Sequence, residues 1–489
     1  MSAPDIAAPS PWTALPTATE LAARIRGGET TATEALDAAL DRIRRRNPEL
    51  NAIVTLDEAG SRQRAAEADA ALREGTVWGP LHGVPITVKD QFDTKGIRTT
   101  YGLPPYQRWV PDRDAAVVAR LKRAGAVLVG KSNLPFASYD WQCWHPFFGR
   151  AQNPWAPGYT PGGSSGGSAA SLAAGFVPLE LGADVAGSIR LPAHFCGVCS
   201  LRPSDGRLPT HGMVPSDRPM TVKNIVVPGP MARSVGDLQL GLHVLSTPTD
   251  TPLEPHDPAP PPHPSDLTVA VTDALGDVPS DTDTQRALRS LGTALTQQGA
   301  IVKRVPAPID VEEALSVWGR IQGYELSRGL PWLLRDTPGR HIIGNGVIRA
   351  LHGFLPSYLV TGSGLDERGY QDALHRRDSL RADLDDFLQD VDAWVTPVAA
   401  IPSFRQCRTG ARLSIDGESV PYALPFSAYL PALAVPGHPI ATLPAGWTHA
   451  GDEPRRPIGI QVHGRFNHDE DLLAISQTLE SVLESEIRR

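Results

Sequence analysis

The sequence has few cysteines, no membrane-length apolar run and no excess of positive charge. Four cysteines in 489 residues, Cys143, Cys196, Cys199 and Cys407, are too few for a disulfide framework. Cys196 and Cys199 form a CxxC, but Cys143 and Cys407 do not supply the second pair that a zinc site needs, and no thioredoxin-like context surrounds them. The pair reads instead as two small residues packed beside a helix end. No stretch of about 18 apolar residues escapes interruption; residues 169–189 come nearest and carry Pro178, Glu180 and Asp184. The opening residues MSAPDIAAPS lack the charged start and apolar run of a signal peptide, so a soluble, cytoplasmic protein is expected, with no membrane partner. Lys and Arg number 46 against 54 acidic residues, a formal net charge of −8. The basic trio Arg44-Arg45-Arg46 falls at the end of an expected helix, where it complements the dipole, so no nucleic-acid partner is indicated. No internal repeat is present.

What the chain does contain is an alternation of helical and strand patterns. Thr31-x-x-Glu34 is a capping box, Leu36, Leu40 and Ile43 share one face, and Asn47-Pro48 is expected to stop that helix. A second helix is expected from Glu58 to Arg73, making the first 75 residues helical. Residues 83–88 then read as a strand ending at Lys89-Asp90, residues 114–124 as a helix closed by Gly125, and residues 126–129 as a short strand, which is a βαβ unit. Ser234-x-x-Asp237 opens another helix. Seven prolines between Pro252 and Pro264 make a stiff surface connector. Beyond it, strands are expected at 267–271, 301–305, 393–396, 440–443 and 458–463, with helices at 285–298 and 470–483. The fold class is therefore α/β with one large mixed central β-sheet. The expected organisation is a single domain over 1–489, with an N-terminal helical segment (1–75), one half over 76–250, the Pro-rich connector (251–266) and a second half (267–489). Residues 311–390, mainly helical and carrying Trp318, Trp332 and Tyr358, are the expected substrate-facing cap.

The stretch from Gly162 to Arg190, GGSSGGSAASLAAGFVPLELGADVAGSIR, holds the candidate chemistry. Its serines Ser164 and Ser188 lie 24 residues apart in glycine-rich segments that permit close approach and unusual backbone angles. A Gly/Ser run can be a flexible linker, but apolar and small residues resume at once from Ala169 to Val177, so the run is embedded in packed structure. Gly162-x-Ser164-x-Gly166 matches a nucleophile elbow, which requires a strand just before it. Here Pro154, Trp155, Pro157, Tyr159 and Pro161 precede, and these do not make a central strand. A phosphate-binding loop fails because no Lys follows Gly167. A third option uses a lysine as base: Lys89 ends an apolar strand (Val84, Ile86, Val88), where burial disfavours the ammonium and yields a neutral amine. From that residue alone, a lysine capping a strand edge is the simpler account; its coincidence with two glycine-flanked serines raises it above that.

At this point the sequence resembles the amidase signature family. The resemblance rests on PLHGVPITVKD (80–90), LKRAGAVLVGKSNLPFAS (121–138), PGGSSGGSAA (161–170), LGADVAGSIRLPAHFCGVCSLRPSDGRLP (181–209), GPMARSVGDL (229–238), PGHPIATLPAG (436–446) and PIGIQVHGR (457–465), and spans residues 17 to 485. It implies the amidase signature fold, a mixed sheet covered by helices on both faces, and a Ser–cis-Ser–Lys triad. Carried over by position, Ser188 is the nucleophile, Ser164 the bridging serine, Lys89 the base, and the Gly163–Ser164 peptide is cis. The backbone N–H groups of Val185, Ala186, Gly187 and Ser188 match the family's oxyanion hole, and Asp184, Arg190 and Ser165 brace the site. Ala186 and Ala183 depart from the Gly and Thr usual in the family, without deleting a catalytic group. The implied activity is cleavage of a small-molecule carboxamide through a serine acyl-enzyme, with aryl amides, carbamates or esters open to the same machinery. No metal or cofactor is required, and a homodimer is left open. The aromatic segment 139–148, with Trp141, Trp144 and Phe147, lines a substrate pocket or belongs to the core. Three other functions stay open: an amidotransferase component that passes ammonia to a partner, a GxSxG-type serine esterase, and a silent binding scaffold.

Overall fold

The computed structural model describes residues 15–214, 222–328, 356–449 and 453–487. Eleven strands form one sheet: β1 (Ile53–Leu56), β2 (Pro85–Lys89), β3 (Val127–Ser132), β4 (Leu179–Asp184), β5 (Cys199–Arg202), β6 (Val227–Ala232), β7 (Thr268–Val271), β8 (Ile301–Arg304), β9 (Ala393–Pro397), β10 (Ile440–Trp447) and β11 (Pro457–His463). Their order is β1-β3-β2-β4-β6-β5-β10-β11-β9-β7-β8. The sheet is mixed: β2 runs parallel to β3 and to β4, whereas β4 and β6 are antiparallel. The segments before and after the proline-rich connector meet where β5 pairs with β10, Ile440 opposite Arg202.

The sheet separates the two largest apolar clusters. Val269 and Val271 of β7 and Ala393 and Val395 of β9 join one cluster, while the intervening Ala270 and Trp394 join the other, as the two-residue period of a strand requires. Strands β2, β4 and β6 are buried at every residue, so both their faces are covered. On β2, Ile86 and Val88 belong to the first core, and on β4, Leu179, Leu181 and Ala183 do. Thr87 and Lys89, and likewise Glu180 and Asp184, therefore point to the opposite face. Two helices pack on that side: α5 (Gly166–Ala173) and α6 (Arg190–Cys196), which follow α1 (Ala18–Arg26), α2 (Ala32–Leu50), α3 (Glu58–Arg73) and α4 (Ala116–Arg123) in the chain.

Several expectations shift. The capping box at Thr31 and Glu34 is present, but α2 passes through Pro48 to Leu50 and ends on Asn51 in the left-handed region. A proline in the final turn removes one N–H without breaking the helix, and the Asn47 side chain bonds both the N–H and the C=O of Ile53 beyond the helix end. The arginine trio thus lies before the last turn; Arg44 pairs with Asp41 and Glu58. Strand β1 interrupts the N-terminal helical segment and pairs with the edge of β3. Beyond α7 (Val235–Ser246) and α8 (Thr282–Gln297), the cap region contains α9 (Val311–Arg328), α10 (Pro356–Ser363) and α11 (Glu367–Phe387), and the chain closes on α12 (Asp469–Ile487). Trp332 lies outside the described residues. Cys196 ends α6 and Cys199 opens β5, each a free buried thiol, so the CxxC packs at a helix end as its spacing suggested.

Candidate active site

The parallel strands β2 and β4 deliver Lys89 and Asp184 to adjacent C-terminal ends, the side of an α/β sheet where ligands are usually met. Ser164 precedes α5 and Ser188 precedes α6, so two strand ends and two helix starts converge. No strand leads into Ser164, which removes the nucleophile-elbow geometry. The glycine run is packed rather than flexible: a Cβ on Gly163 would lie 2.3 Å from the carbonyl oxygen of Asp140. The Gly163–Ser164 peptide is cis, as the resemblance implies.

Lys89 is fully buried and its Nζ donates to Ser164 Oγ at 2.7 Å. Burial strips the ammonium of water and pulls its pKa down to about 7, against the opposing influence of Cys143 and Asp184. Cys143 is itself buried, its thiol pushed up to about 12. A substantial fraction of Lys89 is therefore neutral at neutral pH, and a neutral amine at this distance can take the proton of a serine hydroxyl. Ser188 is half-buried, and its hydroxyl has no hydrogen-bond partner among the described residues. The two serine-bearing segments are joined through the backbone, Ser165 N donating to Ser188 O at 3.0 Å, while Ser165 Oγ sits 3.4 Å from both the N and the O of Ala183.

Asp184 anchors the turn that carries Ser188. Its carboxylate accepts from Gly187 N at 2.9 Å and Ile189 N at 3.1 Å, and from Arg190 Nε and Nη2, both at 3.1 Å. Arg202 Nε stands 3.8 Å from the same carboxylate. Burial alone would raise the Asp184 pKa, but the two guanidinium groups and the backbone donors hold it at about 2. Gly187 adopts φ +93°, and a Cβ there would meet the Leu430 side chain at 2.7 Å, so glycine is required on both counts. Of the four N–H groups expected to form an oxyanion hole, that of Gly187 donates to Asp184, and those of Val185, Ala186 and Ser188 have no acceptor among the described residues.

Of the aromatic candidates, Trp141 is the one hydrogen-bonded to this turn, donating Nε1–H to Ala186 O at 3.0 Å. It is 2% exposed and packs on Phe426 and Tyr422, which makes it a core residue rather than an open pocket wall. Trp144 is 44% exposed on a short hairpin, and Phe147 lies edge-on to His145 at 3.7 Å. Sequence reasoning did not single out Arg202, Leu430 or the hydrogen bond from Trp318 Nε1 to Val185 O at 3.3 Å. Trp318 sits on the apolar stripe of α9 with Ala314, Leu315 and Ile321, where its spacing reads as ordinary core. Among the described residues no group of three or more His, Cys, Asp or Glu could hold a metal ion, and no helix is long and apolar enough to cross a membrane.

The sequence profile of the amidase family matches residues 34–473. The chain belongs to the amidase family. Within the family it is similar to a glutamyl-tRNA(Gln) amidotransferase subunit of Roseiflexus sp. (strain RS-1), 32% identical over 478 residues, covering 93% of this chain and 94% of that protein. It is also similar to an indoleacetamide hydrolase of Bradyrhizobium diazoefficiens, 34% identical over 315 residues, 63% of this chain and 58% of that one. A crystal structure of an amidase has the same fold, with a TM-score of 0.78 at 29% identity over 96% of this chain and 100% of the other. As an amidase-family enzyme with the amidase fold, the chain places its segments 80–90, 161–170 and 181–190 around the one cluster described above.

Proposed function

We propose that this amidase-family enzyme hydrolyses small-molecule carboxamides through a serine acyl-enzyme, with Ser188 as nucleophile, Ser164 as relay and Lys89 as base. The observation that carries the reading is a fully buried lysine amine with a pKa near 7, 2.7 Å from Ser164 Oγ, at the segment bonded to Ser188. Neutral Lys89 accepts the Ser164 proton as Ser164 takes the proton of Ser188, whose oxygen bonds to the amide carbon. The carbonyl oxygen becomes an oxyanion stabilised by free N–H groups of the turn. The protons then return along the same path to the leaving nitrogen, the C–N bond breaks, and an amine departs. Water attacks the ester left on Ser188 with the relay again as base, releasing the carboxylic acid and restoring the serine. Protons pass between Lys89, the two serines, the leaving nitrogen and the attacking water, and the base is regenerated every cycle. Aryl amides, carbamates and esters present the same acyl centre and belong to the substrate panel.

The test is turnover of amides, anilides, carbamates and esters by the wild type, with Ser188→Ala as blank. Ser188→Ala abolishes every activity and Lys89→Ala does so nearly, whereas Ser164→Ala keeps a residue because water partly bridges the gap. A folded Ser188→Ala variant with wild-type turnover overturns the assignment. A second reading, a component that releases ammonia for a partner, is favoured by the full-length similarity to a glutamyl-tRNA(Gln) amidotransferase subunit. Glutamine-dependent ammonia release that requires co-purifying proteins supports it; hydrolysis by the isolated chain supports the first reading.

A further inference from the structure

Two indoles from distant parts of the chain grip consecutive peptides of the turn before Ser188. Trp318 of α9 donates to Val185 O at 3.3 Å and Trp141 donates to Ala186 O at 3.0 Å. Both rings are buried in one core cluster, 1% and 2% exposed, so neither is free to swing. In a trans peptide the C=O and N–H of the same unit point in opposite directions. Holding Val185 O therefore sets the direction of the Ala186 N–H, and holding Ala186 O sets that of the Gly187 N–H. The Gly187 N–H is also held at its own end, by Asp184 Oδ1 at 2.9 Å. The Ala186 N–H has no acceptor among the described residues, so its direction depends on the Trp318 contact at the other end of that peptide.

We propose that Trp318 is a positioning residue of the site: its indole N–H, through the Val185 carbonyl, aims the Ala186 N–H at the oxyanion that forms when Ser188 attacks. The proposal rests on the reading that Ser188 is the nucleophile. It makes α9 of the cap part of the reacting centre, 130 residues from the nucleophile in sequence (318 − 188). A buried indole N–H needs some acceptor in any protein; what distinguishes aiming from mere satisfaction is the unequal effect of the two tryptophans. The Trp141-bonded peptide has a second anchor in Asp184, and the Trp318-bonded peptide has none among the described residues.

Trp318→Phe and Trp141→Phe each keep an aromatic ring and remove the N–H. With an amide or anilide from the wild-type panel, Trp318→Phe lowers kcat roughly tenfold with KM held within about twofold, the pattern of an interaction made in the transition state, yet stays short of the roughly 10²–10³-fold cost of deleting an oxyanion donor. The acid-limb midpoint of the pH profile, set by Lys89, does not move. Trp141→Phe lowers kcat less, although its hydrogen bond is the shorter. Wild-type kcat in Trp318→Phe, equal losses in the two variants, or a rise in KM alone overturns the proposal. If Trp318→Phe does not fold, 3-benzothienyl-alanine at 318, which replaces the N–H by sulfur in a ring of the same shape, gives the same readout. Ser188→Ala separates the two levels. An inactive Ser188→Ala beside a wild-type-like Trp318→Phe overturns only the positioning role, and an active Ser188→Ala overturns the nucleophile assignment itself.

Discussion

Lys89 is buried without a carboxylate at hydrogen-bond distance among the described residues, so its charge state follows desolvation, and stability inherits that, as activity does in the proposed mechanism. In the proposed mechanism the base works as the neutral amine, so kcat/KM should rise with pH through a midpoint near 7 and level off above it. A profile flat from pH 6 to 9 would contradict the role of Lys89. Stability carries the same signature. The pKa is about 7 in the folded protein against an ordinary 10.5, so the unfolded chain binds more protons between those values. The Lys89 contribution is then fully present above 10.5 and is lost as pH falls through 7. Relative to Lys89→Met, the wild type therefore gains stability as pH rises across this window, measured as the difference between their urea midpoints at pH 7 and pH 10. A difference that does not change with pH would show that Lys89 is not held neutral by burial.

At the scale of elements, the turn between β4 and α6 depends on one carboxylate that accepts backbone and guanidinium donors together. Asp184→Asn leaves Arg190 buried without its counter-charge, a situation that typically costs about 3–5 kcal/mol, while Arg202 keeps Asp205 at 2.7 Å. Urea denaturation of Asp184→Asn should report a loss of that order together with loss of turnover; an unchanged midpoint would mean that Gln461 and the Leu430 carbonyl satisfy Arg190 alone. These elements differ in how readily the sequence reveals them. The helix Glu58–Arg73 and the Ser234 cap were readable from local pattern, since capping and periodicity act within a few residues. Strand β1 was not, because its four residues alternate burial only weakly and gain their role from pairing with β3. The extension of α2 through Pro48 escaped for a similar reason, being set by contacts of Asn47 beyond the helix. Lys89, Ser164, Ser188, Asp184 and Arg190 were legible because their segments carry an unusual pattern. The grip of Trp318 and Arg202 on the same turn was not, since an indole on an apolar stripe and an arginine in a strand look like core and surface until the chain is folded.

For the whole molecule, the decisive feature is that strands from both sides of the proline-rich connector share one sheet, with β10 paired to β5 and the two largest apolar clusters drawing on both segments. Neither segment carries either of the two largest cores by itself, and separated they would expose sheet edges at β5 and β10. A protease site inserted in residues 251–263 should therefore yield two fragments that stay associated and active after cleavage, whereas residues 1–250 expressed alone remain insoluble or unfolded. A soluble, cooperatively unfolding 1–250 fragment would contradict a single folding unit. That shared sheet is also what brings the Leu430 and Trp318 side to the strand ends bearing Lys89 and Asp184, so chemistry and architecture are tested together by the fate of Ser188. The most direct measurement is peptide mapping by mass spectrometry after reaction with a fluorophosphonate. The account predicts one adduct, on Ser188, formed at a rate that rises with pH through a midpoint near 7 and collapses in Lys89→Ala. An adduct on Ser164, or labelling of Ser188 at an undiminished rate in Lys89→Ala, would contradict it.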